Sequence, residues 1–428
     1  MQSLLLAVAA LVLAGTPAAL RAAPKRPAAA AATVQINKAR IDRALAELVS
    51  SGRVAGVSAL LWRNGREVYF GKAGQADREA GRPMRRDTLI QIYSMTKPVT
   101  GVALMQLWEQ GRFGLDDPLA RYLPEFGETK VFAGMDPAGK PILRAPDRPI
   151  LVRDILRHTA GFGYGPGDSY PEQEWARLDP LKRDHDLAEF GRRLSRVPLL
   201  FDPGRQWRYS AAVDVQALLV EKLTGVPFET YVRRQIFQPL GMKDSAWTQP
   251  DDRLPRLAAM YEKDAGGRLQ RASEEEQRGL NFDPARKLTM GGAGIASTAD
   301  DYMRFARMLL NEGSLDGVRI LKPTTVKLMA TDQLDPRVSE RSWLPGKGQG
   351  GFGLNFFVRT GPPKEVSENR GAVGEFFWDG RASTLFWVDP ANSLAAVFLV
   401  QVIPFDGTLH RDFRRAVYGE YSPGPKGN

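Results

Sequence analysis

The chain has 428 residues, 43% of them hydrophobic and 25% charged, enough apolar material to bury one large domain or two intertwined ones and to exclude a disordered polyelectrolyte. Lysine and arginine exceed aspartate and glutamate by 59 to 49, for a formal charge of +10, but the signs are interleaved, as at Asp252-Arg253 and Glu340-Arg341; with no basic block or nucleic-acid motif, no nucleic-acid partner is expected. Cysteine is absent, which excludes disulfides, thiolate metal sites, a cysteine nucleophile and a lipoprotein anchor.

Leu4 to Ala14 is an unbroken apolar run, long enough for the core of a secretory signal and too short to cross a bilayer. Residues 1–23 are expected to be a signal peptide, cut after Ala18, Ala22 or Ala23, that exports the protein to the periplasm or the medium. No basic residue precedes the run, so an uncleaved anchor is the alternative; the mature chain offers no further membrane span. Residues 24–36 read as a flexible linker, alanine- and proline-rich from Pro24 to Thr33.

Asn37 to Ser51 places Ile41, Leu45 and Leu48 at helical spacing. Val57 to Trp62 and Glu67 to Phe70 flank Asn64-Gly65, a dipeptide that tolerates the positive φ angles of a tight hairpin. Thr88 to Tyr93 is extended, and a buried helix runs on through Val99 to Gly111. Residues 115–289 are rich in proline, charge and helical periodicity and read as a mostly helical insertion. Strand character returns at Gly353 to Val358, Thr384 to Val388 and Leu394 to Val400, and Arg411 to Tyr421 closes the chain as a helix. Neither end has strands enough for a stable sheet. Residues 37–114 and 290–421 are therefore expected to pair into one discontinuous α/β domain.

Ser94 and Lys97, in Ser94-Met95-Thr96-Lys97, share a helical face, so the lysine can reach the hydroxyl. The serine follows an extended segment and opens a helix, where amides and the helix dipole face an incoming oxyanion. A serine hydroxyl needs a base. The chain has only His158, His185 and His410 and no G-x-S-x-G elbow, so a serine-histidine-aspartate esterase is poorly supported and lysine or tyrosine must serve. His158 reads as a loop-holding side chain. Gly348-Gln349-Gly350-Gly351-Phe352-Gly353 runs into a strand, so dinucleotide binding is not expected. Glu274-Glu275-Glu276 has no histidine beside it and reads as a solvated helix face. No metal and no organic cofactor are expected.

Together these residues resemble the serine β-lactamases and penicillin-recognising proteins, and within them the class C enzymes and family VIII esterases. The resemblance spans about residues 37–421. It rests on Tyr93-Ser94-Met95-Thr96-Lys97, Leu156-Arg157-His158-Thr159-Ala160-Gly161, Pro203-Gly204-Arg205-Gln206-Trp207-Arg208-Tyr209-Ser210, Gly291-Gly292-Ala293-Gly294-Ile295-Ala296-Ser297-Thr298 and Phe386-Trp387-Val388-Asp389-Pro390, in that order. It implies a three-layer α/β sandwich, an antiparallel sheet covered by helices, with the active site where the helical insertion meets the sheet. It also implies that the Tyr209 phenol faces Ser94 and Lys97; which of lysine and tyrosine is the base stays open, and their proton is best treated as shared. An oxyanion hole would come from the backbone amides of Ser94 and Arg381, and Tyr93, Trp378, Asp379 and Gly380 would contact substrate.

The chain departs from the family where asparagine is usual after the tyrosine, with Ala211, and where Lys-Thr-Gly or His-Thr-Gly is usual, with Trp378-Asp379-Gly380. Both departures remove groups that recognise β-lactams and point to a small-molecule ester, cleaved through an acyl-enzyme on Ser94. Asp379 and Arg381 could instead be ion-paired charges apart from the chemistry. A β-lactamase or D-amino peptidase with the same three residues, a transacylase and a catalytically inactive ligand-binding homologue are the alternatives.

Overall fold

A computed structural model describes residues 34–279, 286–338 and 340–420. The expected signal peptide, the linker up to Thr33 and Tyr421 lie outside the described residues. The chain from Val34 onward forms a single contact unit. No helix among the described residues is long and apolar enough to cross a membrane.

The core element is an eight-stranded antiparallel sheet. Its strands are β1 Gly56–Arg63, β2 Arg66–Asp77, β3 Arg82–Pro83, β4 Gly350–Phe352, β5 Phe357–Arg359, β6 Phe376–Asp379, β7 Leu385–Asp389 and β8 Leu394–Leu399. Their spatial order is β4-β5-β6-β7-β8-β1-β2-β3. The two ends of the chain meet at β1 and β8, where Ser58 faces Leu399 and Leu61 faces Ala396, so the discontinuous sheet expected from the sequence is what forms. The hairpin between β1 and β2 turns at Asn64 and Gly65 with φ of 49° and 78°, as that dipeptide requires.

The five longest helices among the described residues are α1 Lys38–Ser50, α2 Thr96–Glu109, α3 Ala212–Thr224, α4 Ala299–Leu310 and α5 Gly407–Tyr418. Neighbouring side chains of β7 show how the layers form. Phe386 packs on Tyr302 and Phe305 of α4, while Trp387 packs on Phe413 and Tyr418 of α5. With helices on both faces, β7 and β8 are buried throughout and appear in the sequence as apolar runs without alternation.

Two sequence expectations need correction. Gly353 to Val358 is not one strand. β4 ends at Phe352, the chain turns through Asn355 with φ of 67°, and β5 begins at Phe357; β4 lies inside the glycine-rich segment Gly348 to Gly353. The last helix starts earlier, at Gly407, because the Asp406 carboxylate accepts the Thr408 N–H and caps it, and it ends at Tyr418. The insertion is helical at Val152–Leu156, Tyr170–Leu178, Leu187–Leu194, α3 and Phe228–Val232, as expected, and it also carries short strands at Val131–Met135, Pro141–Arg144, Tyr261–Lys263 and Leu269–Arg271.

Candidate active site

Ser94 sits in a single 3-10 turn, Tyr93–Met95, that leads directly into α2. Tyr93 takes a positive φ of 43°, a conformation that costs a non-glycine residue roughly 1–2 kcal/mol. The turn is held from several sides. Ile92 N–H donates to Ile295 O at 3.0 Å, and the Tyr302 hydroxyl donates to Met95 O at 2.7 Å. The end of β6 closes on it, since a Cβ added to Gly380 would stand 2.5 Å from Ile92 O and 2.3 Å from Thr384 Oγ1. Only glycine fits there, and the contact brings Arg381 beside the Ser94 turn.

One helical turn after Ser94, the Lys97 side chain is almost entirely buried. Its Nζ lies 3.2 Å from Ser94 Oγ, 3.1 Å from the Tyr164 hydroxyl and 2.7 Å from Gly292 O. Tyr209, just before α3, donates to Ser94 Oγ at 2.8 Å. The phenol and the amine expected from the sequence thus converge on one alcohol oxygen. Burial pulls the Lys97 ammonium down to about 7, against the opposing pull of the Asp214 and Asp379 carboxylates. Burial raises the Tyr209 phenol well above its ordinary value, although hydrogen bonding to Ser94 works the other way. Near neutral pH the amine is therefore the group that can be free base, while the phenol keeps its proton.

His158 does not touch the serine. Its Nδ1 accepts the Ser210 N–H at 3.2 Å, and its ring packs against Trp207, Tyr209 and Phe352. Burial, then the Lys97 charge, lowers its pKa well below the ordinary value, so it is a neutral support for the Tyr209 ring.

A cavity of about 940 Å³ opens at Ser94, and Tyr93, Trp378, Asp379, Gly380 and Arg381 all line it. Asp379 and Arg381 do not pair with each other. Asp379 pairs with Lys347, whose ammonium lies over the Trp378 ring at 4.8 Å. Arg381 makes a two-pronged ion pair with Glu276 at 2.6 and 2.7 Å. Glu276 thus anchors Arg381, whose guanidinium lies 5.9 Å from the Tyr93 ring centroid, instead of being a purely solvated face. Among the described residues no cluster of three or more histidine, cysteine, aspartate or glutamate side chains could hold a metal ion.

The sequence assigned no role at the site to Tyr164, Asp214, Gly292, Lys347 or Trp343. Tyr164 stands in the glycine-rich stretch Gly163 to Gly167, and Asp214 interrupts the apolar run Ala212 to Val215; a carboxylate in so buried a helix was a readable signal. Lys347 and Trp343 carried none, because the 343–347 loop reaches the site only through the fold. Trp343 is 58% exposed at the cavity's edge and packs on the Tyr209 ring at 4.8 Å.

The layered sheet, the serine-lysine-tyrosine cluster and the cavity define an acyl-handling serine enzyme of the β-lactamase/DD-peptidase fold. The chain belongs to the Beta-lactamase family, whose model matches residues 41–418. It is 34% identical over 388 residues to an uncharacterized protein of Mycobacterium tuberculosis, covering 88% of this chain and 92% of that one. It is 31% identical to esterase EstB of Burkholderia gladioli, over 89% of this chain and 95% of that protein. The solved structure of EstCE1, described as a hydrolase with promiscuous acyltransferase activity, superposes with a TM-score of 0.72 at 28% identity, over 89% of this chain and 98% of that one. The chain is an esterase-like member of the serine β-lactamase superfamily.

Proposed function

We propose that this protein cleaves small carboxylic esters through an acyl-enzyme on Ser94, with Lys97 as the base. The observation that carries the reading is the approach of a proton-donating phenol, at 2.8 Å, and a near-neutral amine, at 3.2 Å, to the same buried-edge hydroxyl. Free-base Lys97 takes the Ser94 proton as Oγ bonds to the ester carbonyl carbon. The backbone amides of Ser94 and Arg381 receive the oxyanion, each such donor being worth about 3 kcal/mol. As the tetrahedral intermediate collapses, Tyr209 gives its proton to the departing alkoxide and Lys97 restores it. Water then repeats the sequence against the acyl-enzyme and frees the acid.

Esters are favoured over β-lactams and D-amino peptides because Ala211 and Trp378 stand where those substrates would need an amide and a cation. The likeness to EstB supports this choice. The likeness to EstCE1 favours a second reading, in which an alcohol replaces water in the last step. An intact trio of reacting groups argues against an inactive binding homologue. The Leu4 to Ala14 run supports export as the setting of the reaction.

The test is Ser94→Ala, which should abolish turnover of p-nitrophenyl butyrate and labelling by a fluorophosphonate while the circular dichroism spectrum and melting transition persist. Retained turnover would overturn the reading. Product analysis with added alcohols separates hydrolysis from transfer.

A further inference from the structure

The strap Met290 to Ala293 threads between α2 and α3, and all four of its carbonyls accept hydrogen bonds. Gly291 O accepts from Thr100 of α2 at 2.6 Å, and the Trp247 indole donates to Met290 O and Ala293 O at 2.9 and 3.1 Å. Gly292 N–H donates to Asp214 Oδ1 of α3 at 2.9 Å, and Gly292 O accepts from Lys97 Nζ at 2.7 Å. One residue therefore stands between a buried carboxylate and the catalytic amine. Asp214 is fully buried in the first turn of α3, where burial raises its carboxyl pKa while the Lys97 charge, the Gly292 N–H and the helix dipole oppose that rise. Its Oδ2 has no hydrogen-bond partner. That oxygen faces Gly292 together with two groups of the reaction centre: a Cβ there would lie 2.9 Å from Asp214 Oδ2, 3.0 Å from the Tyr164 hydroxyl and 3.1 Å from Lys97 Nζ.

A neutral amine has two N–H donors and one lone pair. The Gly292 carbonyl can only accept, so it always takes one N–H; the Tyr164 oxygen can take the second. The lone pair is then left for the third neighbour, the Ser94 hydroxyl. We propose that Asp214 is a positioning residue that acts on Lys97 through Gly292, fixing the carbonyl that turns the amine's lone pair toward Ser94. This rests on the assignment of Lys97 as the base.

Charge enters as well. The groups facing Lys97 are Asp214 from α3, Asp379 from the end of β6, His158 and Tyr164 from the loop before Tyr170, and Tyr209. Of these only the two aspartates favour the ammonium, His158 being neutral and both phenols protonated. Asp214→Asn keeps an oxygen for Gly292 N–H and removes the charge; Asp214→Ala removes both. The pH profile of kcat/KM, counted per fluorophosphonate-reactive site so that unfolded molecules drop out, reads the difference.

For Asp214→Asn the acidic limb should move to lower pH by about half a unit or more. For Asp214→Ala kcat should fall at least about tenfold further than for Asp214→Asn, with KM within about threefold of the parent. An acidic limb unmoved in both variants, or a loss confined to KM, would overturn the proposal. If neither variant folds, Gly292→Ala decides it, because its methyl presses on Asp214 Oδ2 and Lys97 Nζ together and shifts the residue that joins them: a changed limb and a lowered kcat support the relay, and parental kinetics refute it. A parent enzyme with no acidic limb near neutrality would instead remove the assignment of Lys97 as base, a separate failure.

Discussion

Replacing Lys97 by methionine should make the protein more stable as it destroys activity. The unfolded chain holds the lysine proton up to the ordinary value of 10.5, whereas the folded chain releases it near 7. Between those values the unfolded state binds more protons, so the parent gains stability as pH rises from 7 toward 10.5 and carries the penalty in full below about 7. At pH 7 the penalty is on the order of 4 kcal/mol. Methionine fills nearly the same volume without it, but leaves Gly292 O without its donor, a loss of about 1–3 kcal/mol. The net gain is about 1–3 kcal/mol, which for a domain of this size raises the melting temperature by roughly 1 °C per kcal/mol. Thermal melts of the two proteins at pH 7 and pH 10 provide the assay. The variant should melt higher at pH 7 and lose that advantage by pH 10. A variant that melts below the parent at pH 7, or one whose advantage is the same at both pH values, would refute the argument.

Tyr209→Phe keeps the ring contacts with His158, Trp343 and Trp378 and removes the hydroxyl on Ser94, so kcat/KM for p-nitrophenyl esters should fall by about 10²–10⁴ with melting nearly unchanged. Gly380→Ala forces a methyl against Ile92 O and Thr384 Oγ1 and displaces the Arg381 amide; steady-state kinetics should show kcat down by about 10²–10³ with a smaller change in KM. Glu375→Gln uncouples two fully buried arginines, since Glu375 Oε1 accepts from Arg359 Nε at 2.9 Å and Arg414 Nη1 at 3.0 Å. Urea unfolding should show a loss of about 3–5 kcal/mol.

The parts of the fold that were legible in the sequence are those set by local chemistry. Asn64-Gly65 demanded a tight hairpin, and Ser94 and Lys97 had to share a face because they lie one helical turn apart. Long apolar runs marked β7 and β8, although burial on both faces hid the usual alternation. β6 was not legible: it has four residues, and only its pairing with β5 and β7 makes it a strand. Gly353 to Val358 misled because Asn355 adopts a left-handed turn inside an apolar stretch. The site divides in the same way. Tyr209 was found through its resemblance to a family pattern, whereas Tyr164, Asp214 and Gly292 come from three remote segments that meet only after α2 and α3 have packed. The ion pairs of Asp379 with Lys347 and Arg381 with Glu276 likewise join loops that no spacing rule connects.

The central claim is a covalent bond between Ser94 and the acyl group, and mass spectrometry of the protein quenched during turnover of a bulky, slowly released ester tests it most directly. A mass gain equal to the acyl group, localised by peptide fragmentation to Ser94, is expected. Ester turnover with Ser94 unmodified at every time point, or with the acyl group on another side chain, would contradict it.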